Sequence, residues 1–150
     1  MTLPTLPWTG GCRCGDVRFS IAQPPLMTMA CHCTGCQRML GSAFSTSIAV
    51  PTPGFAVTQG TPVIGGLHGA QVRHHHCDRC KGWLFTRIEP DMGFVNIRAT
   101  ALDDAGWFVP FIETWTDEAL PWMTTPARHR YAGFPPADAY PALIAEFGAE

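Results

Sequence analysis

Seven cysteines stand in three tight clusters along the 150-residue chain: Cys12-Arg13-Cys14, Cys31-His32-Cys33-Thr34-Gly35-Cys36 and Cys77-Asp78-Arg79-Cys80. An odd number cannot close into disulfides alone, but seven divides into four and three. Four thiolates fill the tetrahedral shell of a structural zinc ion, whereas three leave one position open for water or substrate. The spacing therefore predicts one closed metal site and one open site, and chemistry is expected at the open one.

Zinc–sulfur bonds of about 2.3 Å place the sulfurs of one site roughly 4 Å apart. Residues i and i+2 of a strand share a face but stand about 7 Å apart. Cys12 and Cys14 can bind one ion only if the chain curls between them, and Gly10, Gly11 and Gly15 supply the backbone freedom. Cys77 and Cys80 have the step of a zinc knuckle. Each pair is half a tetrahedron, so Cys12, Cys14, Cys77 and Cys80 are expected to join in one site that staples the start of the chain to its middle. Cys31, Cys33 and Cys36 bring three sulfurs together within six residues. Their fourth partner is open between water, substrate and a histidine such as His32 or His76. The same three residues also admit free buried thiols, or a closed structural site completed by a histidine.

His74, His75 and His76 alternate faces if they lie in a strand, so all three cannot meet one ion. One or two of them are expected to be exposed, with His76 flanking the knuckle. Trp107, Trp115 and Trp122 are assigned to core packing ahead of a pocket lining. Arg38 admits two roles, a bidentate grip on a carboxylate or a place on a solvated helix face. His32, Asp16 and Asp78 are the candidates for proton transfer.

Composition narrows the partners. Apolar residues make up 46% and charged residues 15%, with 14 prolines and 15 glycines, which describes a loop-rich chain with a core rather than a disordered one. Net charge is −2 and the only lysine is Lys81, so no basic stripe points to nucleic acid. No apolar run is long enough to predict a membrane span. Met1 to Gly11 has neither a basic start nor a sustained apolar stretch, so no secretory signal is read there and a cytoplasmic location is expected. In that reducing compartment, close-spaced cysteines serve as metal ligands or catalysts more often than as disulfides.

The elements that must hold these clusters are short strands. Alternation or apolar runs between turn residues predict strands over 17–21, 43–50, 55–59, 71–76, 83–89 and 93–98. Helical spacing is confined to Thr34–Leu40, with Thr34 as cap and Gly41 as terminator, and to Ala137–Phe147, with Leu143, Ile144 and Phe147 on one face. Nothing in the chain marks a repeat or a linker. A mainly β fold in a single domain, with antiparallel connections, follows.

Gly11-Cys12-Arg13-Cys14-Gly15-Asp16-Val17 resembles the opening motif (glycine, cysteine, x, cysteine, glycine, x, valine) of the glutathione-dependent formaldehyde-activating enzymes, a family that includes centromere protein V. Cys31-His32-Cys33-Thr34-Gly35-Cys36-Gln37-Arg38 resembles the central motif, and Cys77-x-x-Cys80 stands in register with the third. Leu102-Asp103-Asp104, Pro110 and Trp115 resemble the C-terminal half, so the likeness covers about residues 10–122 of a single domain 1–150, leaving 123–150 as a C-terminal extension expected to pack on it. The resemblance implies an Mss4-like (β-tent) fold with few short helices, stapled by zinc. It implies structural zinc ligands at Cys12, Cys14, Cys77 and Cys80, and catalytic-type ligands for a second ion at Cys31, Cys33 and Cys36. It further implies a carbon–sulfur lyase acting on an S-hydroxymethyl adduct of glutathione or a related small-molecule thiol. The alternative within the same fold is a zinc-stabilised binding module without catalysis. One departure stands out: the family has glycine directly after the last cysteine of the third motif, where this chain has Lys81, with Gly82 one place later.

Overall fold

A computed structural model describes residues 3–67 and 69–149; Met1, Thr2, His68 and Glu150 lie outside the described residues. Strands β1 (Trp8–Gly11), β2 (Arg18–Ile21), β3 (Met27–Cys31), β4 (Ser45–Pro51), β5 (Phe55–Gln59), β6 (Val63–Ile64), β7 (Val72–His76), β8 (Trp83–Ile88), β9 (Phe94–Arg98), β10 (Ile112–Thr114) and β11 (His129–Arg130) form two sheets, with two helices, α1 (Thr34–Leu40) and α2 (Tyr140–Gly148). The small sheet runs β1-β2-β5, and the large one runs β11-β10-β3-β4-β9-β8-β7-β6. The fold is mainly β with two short helices, as expected of an Mss4-like architecture. It is not wholly antiparallel: β10 lies parallel to both β3 and β11.

Alternation along β4 explains how the layers assemble. Ile48 and Val50 are fully buried and join Phe19, Ile21, Phe55, Phe85 and Ile97 in the core between the two sheets. Ala49 points to the other face, where it meets Met27, Phe111, Ile112 and the helix residues Leu143 and Phe147. Helix α2 therefore caps one stretch of the large sheet's second face with the expected Leu143, Ile144 and Phe147, of which Ile144 is only partly buried. It starts at Tyr140, because Ala137–Ala139 wind as a 3-10 turn. At the end of that face beyond α2 lie Ser45 and Ser47, and α1 packs beside β4 there.

The opening motif is tied to the later Leu102-Asp103 segment. Gly10 bridges to Leu102, and Asp103 N–H donates to the Thr9 carbonyl at 2.9 Å. The Asp103 carboxylate accepts from Thr9 Oγ1 and pairs with Arg18. A Cβ at Gly10 would come within 2.4 Å of the Ala101 carbonyl oxygen, so only glycine lets the two segments approach this closely.

Candidate functional site

The first and third cysteine clusters meet. Sγ of Cys12 lies 3.5 Å from that of Cys14, which lies 3.6 Å from that of Cys77, and all four sulfurs of Cys12, Cys14, Cys77 and Cys80 fall within 4.8 Å of one another. The curl required at Cys12 is a reverse turn: Gly15 N–H donates to the Cys12 carbonyl and Cys12 N–H to the Val17 carbonyl, with Gly15 at φ +83°. The knuckle closes by Lys81 N–H to the Cys77 carbonyl and Cys77 N–H to the Gly82 carbonyl. Lys81 occupies the left-handed region at φ +59°, the conformation a glycine at this position would adopt freely. The turn thus closes with lysine in a left-handed conformation, at the expense of local strain. Cys12 and Cys77 are buried against the inter-sheet core.

The middle cluster forms a second group. Sγ of Cys31, Cys33 and Cys36 lie within 4.8 Å of one another, and among the described residues neither His32 nor His76 joins them. Cys33, rather than Thr34, caps α1: its sulfur accepts from Cys36 N–H at 3.3 Å, so the helix start and the ligand spacing are one feature. Gly41, at φ +60°, ends the helix as expected.

Strand register surrounds this cluster with hydroxyls. Cys31 on β3 faces Ser45 on β4 and Thr114 on β10, so the three lie in one row across adjacent strands. The Thr114 hydroxyl donates to the Ala30 carbonyl at 3.4 Å, and Ser45 is buried beside Cys31. The hydrogen bond from Cys36, assisted by Thr114 and the Cys33 backbone, brings the Cys31 thiol down to about 5 against the opposing effect of burial. The same contact with Cys31, together with burial, pushes the Cys36 thiol far up, and burial raises Cys33. In the four-cysteine group the Gly82 and Cys14 backbone N–H groups bring Cys80 down to about 6. Cys14 goes the other way: although the Asp16 backbone lowers it, burial and the three neighbouring sulfurs raise it to about 12. Sulfurs this close ionise together only around a cation, and both donor sets fit a soft divalent metal held by thiolates.

His32 faces away from the cluster between whose sulfurs it stands. Only 1% exposed, it places Nε2 3.2 Å from Oε1 of Glu113, a fully buried carboxylate that also accepts from Thr125 and pairs with Arg130 at 2.6 Å. Burial opposes ionisation of Glu113, but Thr125, His32 and Arg130 outweigh it and hold the carboxyl below its ordinary value. Asp16 pairs with Arg79 and Asp78 with Lys81 beside the four-cysteine group, which removes both from the list of proton donors to the other. Gln37 fixes α1 by donating through Nε2 to the carbonyls of His32, at 2.6 Å, and Glu118, at 2.9 Å.

The three consecutive histidines are all half-buried, contrary to expectation. His74 meets Trp83 edge-on and bonds Thr86, His75 stacks on Phe85, and His76 flanks Trp83. Trp107 does pack on the core, against Trp8, whereas half-buried Trp115 lies outside both core clusters and meets the exposed Phe134. Trp122 is 72% exposed instead of buried, and with Arg38, Gln37, Gly41, Ser42, Ala43 and Leu120 it lines an open cavity of about 550 Å³ beside α1. Arg38 thus borders a recess next to the cysteine helix. Ser45, Thr114 and Glu113 stand beside the three-cysteine group or its His32, and sequence motifs missed all three. Glu113 alone carried a signal, an acid inside the apolar run Phe111-Ile112-Glu113-Thr114-Trp115.

Residues 7–118, which include every cysteine and the Glu113 carboxylate, match the sequence profile described as "Glutathione-dependent formaldehyde-activating enzyme". The chain belongs to this family. No curated protein matches it. Among solved structures, a crystal structure of a Rhodobacter sphaeroides protein shares its fold at 16% identity and TM-score 0.52, over 63% of this chain and 87% of that one. Membership of the formaldehyde-activating family points to an enzyme of formaldehyde activation with glutathione as substrate. No helix among the described residues is long and apolar enough to cross a membrane.

Proposed function

We propose that the protein is a zinc-dependent carbon–sulfur lyase that makes and breaks S-hydroxymethyl adducts of glutathione or a related small thiol. The observation that carries this reading is a group of three cysteine sulfurs with no fourth protein ligand among the described residues, set against a four-cysteine group that backs onto the core. On this reading Cys12, Cys14, Cys77 and Cys80 hold a structural zinc ion, and Cys31, Cys33 and Cys36 hold a second one. Zinc bound by these three cysteines supplies the charge that ionises a thiol. In the forward direction the substrate thiolate attacks the carbon of formaldehyde, forming the C–S bond. The carbonyl π pair moves to oxygen, which takes up a proton; the reverse path breaks the C–S bond and returns both. Thr114 and Ser45 flank Cys31 on the two adjacent strands and supply the polar surroundings of its sulfur. Arg38, at the rim of the recess, is suited to a substrate carboxylate.

The rate of S-hydroxymethylglutathione formation, measured with and without zinc-loaded protein, tests the reading. Acceleration that disappears in Cys33→Ala is expected. Rates equal to the spontaneous reaction would instead favour the non-catalytic binding module.

A further inference from the structure

A buried cation lies on the same sheet face as Cys31. Arg98, at the end of β9, is 6% exposed, and its guanidinium carbon sits 4.0 Å above the centre of the Trp83 ring. Its Nε has no hydrogen-bond acceptor among the described residues. An ionised group taken out of water at this depth needs an opposite charge, and a cation–π contact supplies only part of it. No carboxylate among the described residues pairs with Arg98; the groups able to carry negative charge that bear on it are Cys36 and then Cys31. Burial draws the guanidinium down to about 10, and these two sulfurs act in the opposite direction.

Register explains the alignment. Arg98 stands opposite Ser47 on β4, two residues from Ser45, which stands opposite Cys31 on β3. Residues two apart on a strand share a face, so Arg98, Ser47, Ser45 and Cys31 belong to one polar patch that the helix α2 leaves uncovered.

We propose that Arg98 is a positioning residue for the three-cysteine site: the counter-cation that lets three thiolates and an anionic fourth ligand share one metal ion. Three thiolates around a divalent cation carry one net negative charge, and a thiolate arriving as fourth ligand makes two. A fixed guanidinium on the protein side offsets one of these and so biases the open position toward a soft anion over a neutral donor. This rests on the metal reading of the three-cysteine group but not on the lyase step.

Zinc affinity, measured by chelator competition on full-length protein, tests the proposal without turnover. In Arg98→Met the weaker of two zinc equivalents is expected to bind about 10–100-fold less tightly, the range found when a group just outside a metal's ligands is removed. The tighter equivalent should be unchanged, and Arg98→Lys should stay near wild type. Unaltered affinity in Arg98→Met, or equal weakening in the lysine and methionine variants, would overturn the proposal in favour of mere packing on Trp83. Should Arg98→Met lose its fold, cobalt-loaded wild-type protein decides: 2-mercaptoethanol is expected to shift the cobalt spectrum at lower concentration than imidazole does. The reverse order would overturn the proposal. Wild-type protein that binds metal this way yet has no lyase activity would refute the proposed reaction alone; absence of any metal at Cys31, Cys33 and Cys36 would refute both.

Discussion

The two cysteine groups use the same ligand chemistry in opposite settings. Cys12, Cys14, Cys77 and Cys80 come from two hairpin-like turns far apart in sequence, bring four sulfurs within 4.8 Å of one another and back onto the inter-sheet core. Cys31, Cys33 and Cys36 come from one strand end and the helix that follows it, and lack a fourth protein ligand among the described residues. Cys33 is both helix cap and prospective ligand, so local backbone geometry alone sets that cluster. A site assembled from distant segments holds the fold together; a site assembled from one segment can be left incomplete without endangering it. That division, together with the proposed roles, is what mutation should expose.

Cys80→Ser is expected to have the largest effect. Structural zinc binds zinc-finger peptides with an apparent ~10–16 kcal/mol, as much as the ~5–15 kcal/mol that stabilises a whole domain. Circular dichroism should find no cooperative thermal transition, and a strong chelator should reproduce this in the wild-type protein. Cys33→Ala is the counterpart: a melting curve near wild type, one zinc equivalent fewer by elemental analysis, and no accelerated adduct formation. If both variants melt alike, the contrast between the groups is wrong.

Glu113→Ala sharpens the contrast from the second side. Removing this carboxylate leaves His32 buried without its partner and Arg130 unpaired, and breaking such a pair destabilises by about 3–5 kcal/mol when both ends are buried. Arg130 is half-exposed, so the lower end is expected, read as a shift in the urea midpoint. Because the folded carboxyl is held below its unfolded value, its contribution is present above about pH 4.3 and is lost as pH falls through the folded pKa. Glu113→Gln should therefore flatten the acid limb of the stability profile. Lys81→Gly, at the knuckle, should produce the smallest change and of opposite sign. Relief of the left-handed strain, less the extra freedom of glycine in the unfolded chain, should stabilise by about 0.5–1 kcal/mol. Its ion pair with Asp78 is exposed, so losing it changes little. A destabilised Lys81→Gly would mean that the turn is not strained.

Strands with clear alternation or sharp turn boundaries were legible within two residues, among them β5 at Phe55–Gln59 and β9 at Phe94–Arg98. Strand β3 was not, because Met27-Thr28-Met29-Ala30-Cys31 is shielded on both faces and shows no polar–apolar alternation. Its partner β10 has three residues and β11 has two, too few to carry a period. The row Ser45–Cys31–Thr114 was invisible for the same reason: it depends on the pairing of strands that left no pattern.

What the sequence by itself determined was the grouping of the seven sulfurs into four and three, and the helix over Thr34–Leu40. These follow from how far a few residues of backbone can reach and from what thiolates bind. The tertiary structure alone decided that His32 turns to Glu113 and not to the cysteines, that Trp122 lines a recess, and that Arg98 is buried on the face of Cys31. Burial and counter-charge are set by strands brought side by side, and no local pattern encodes which charges will be taken out of water together.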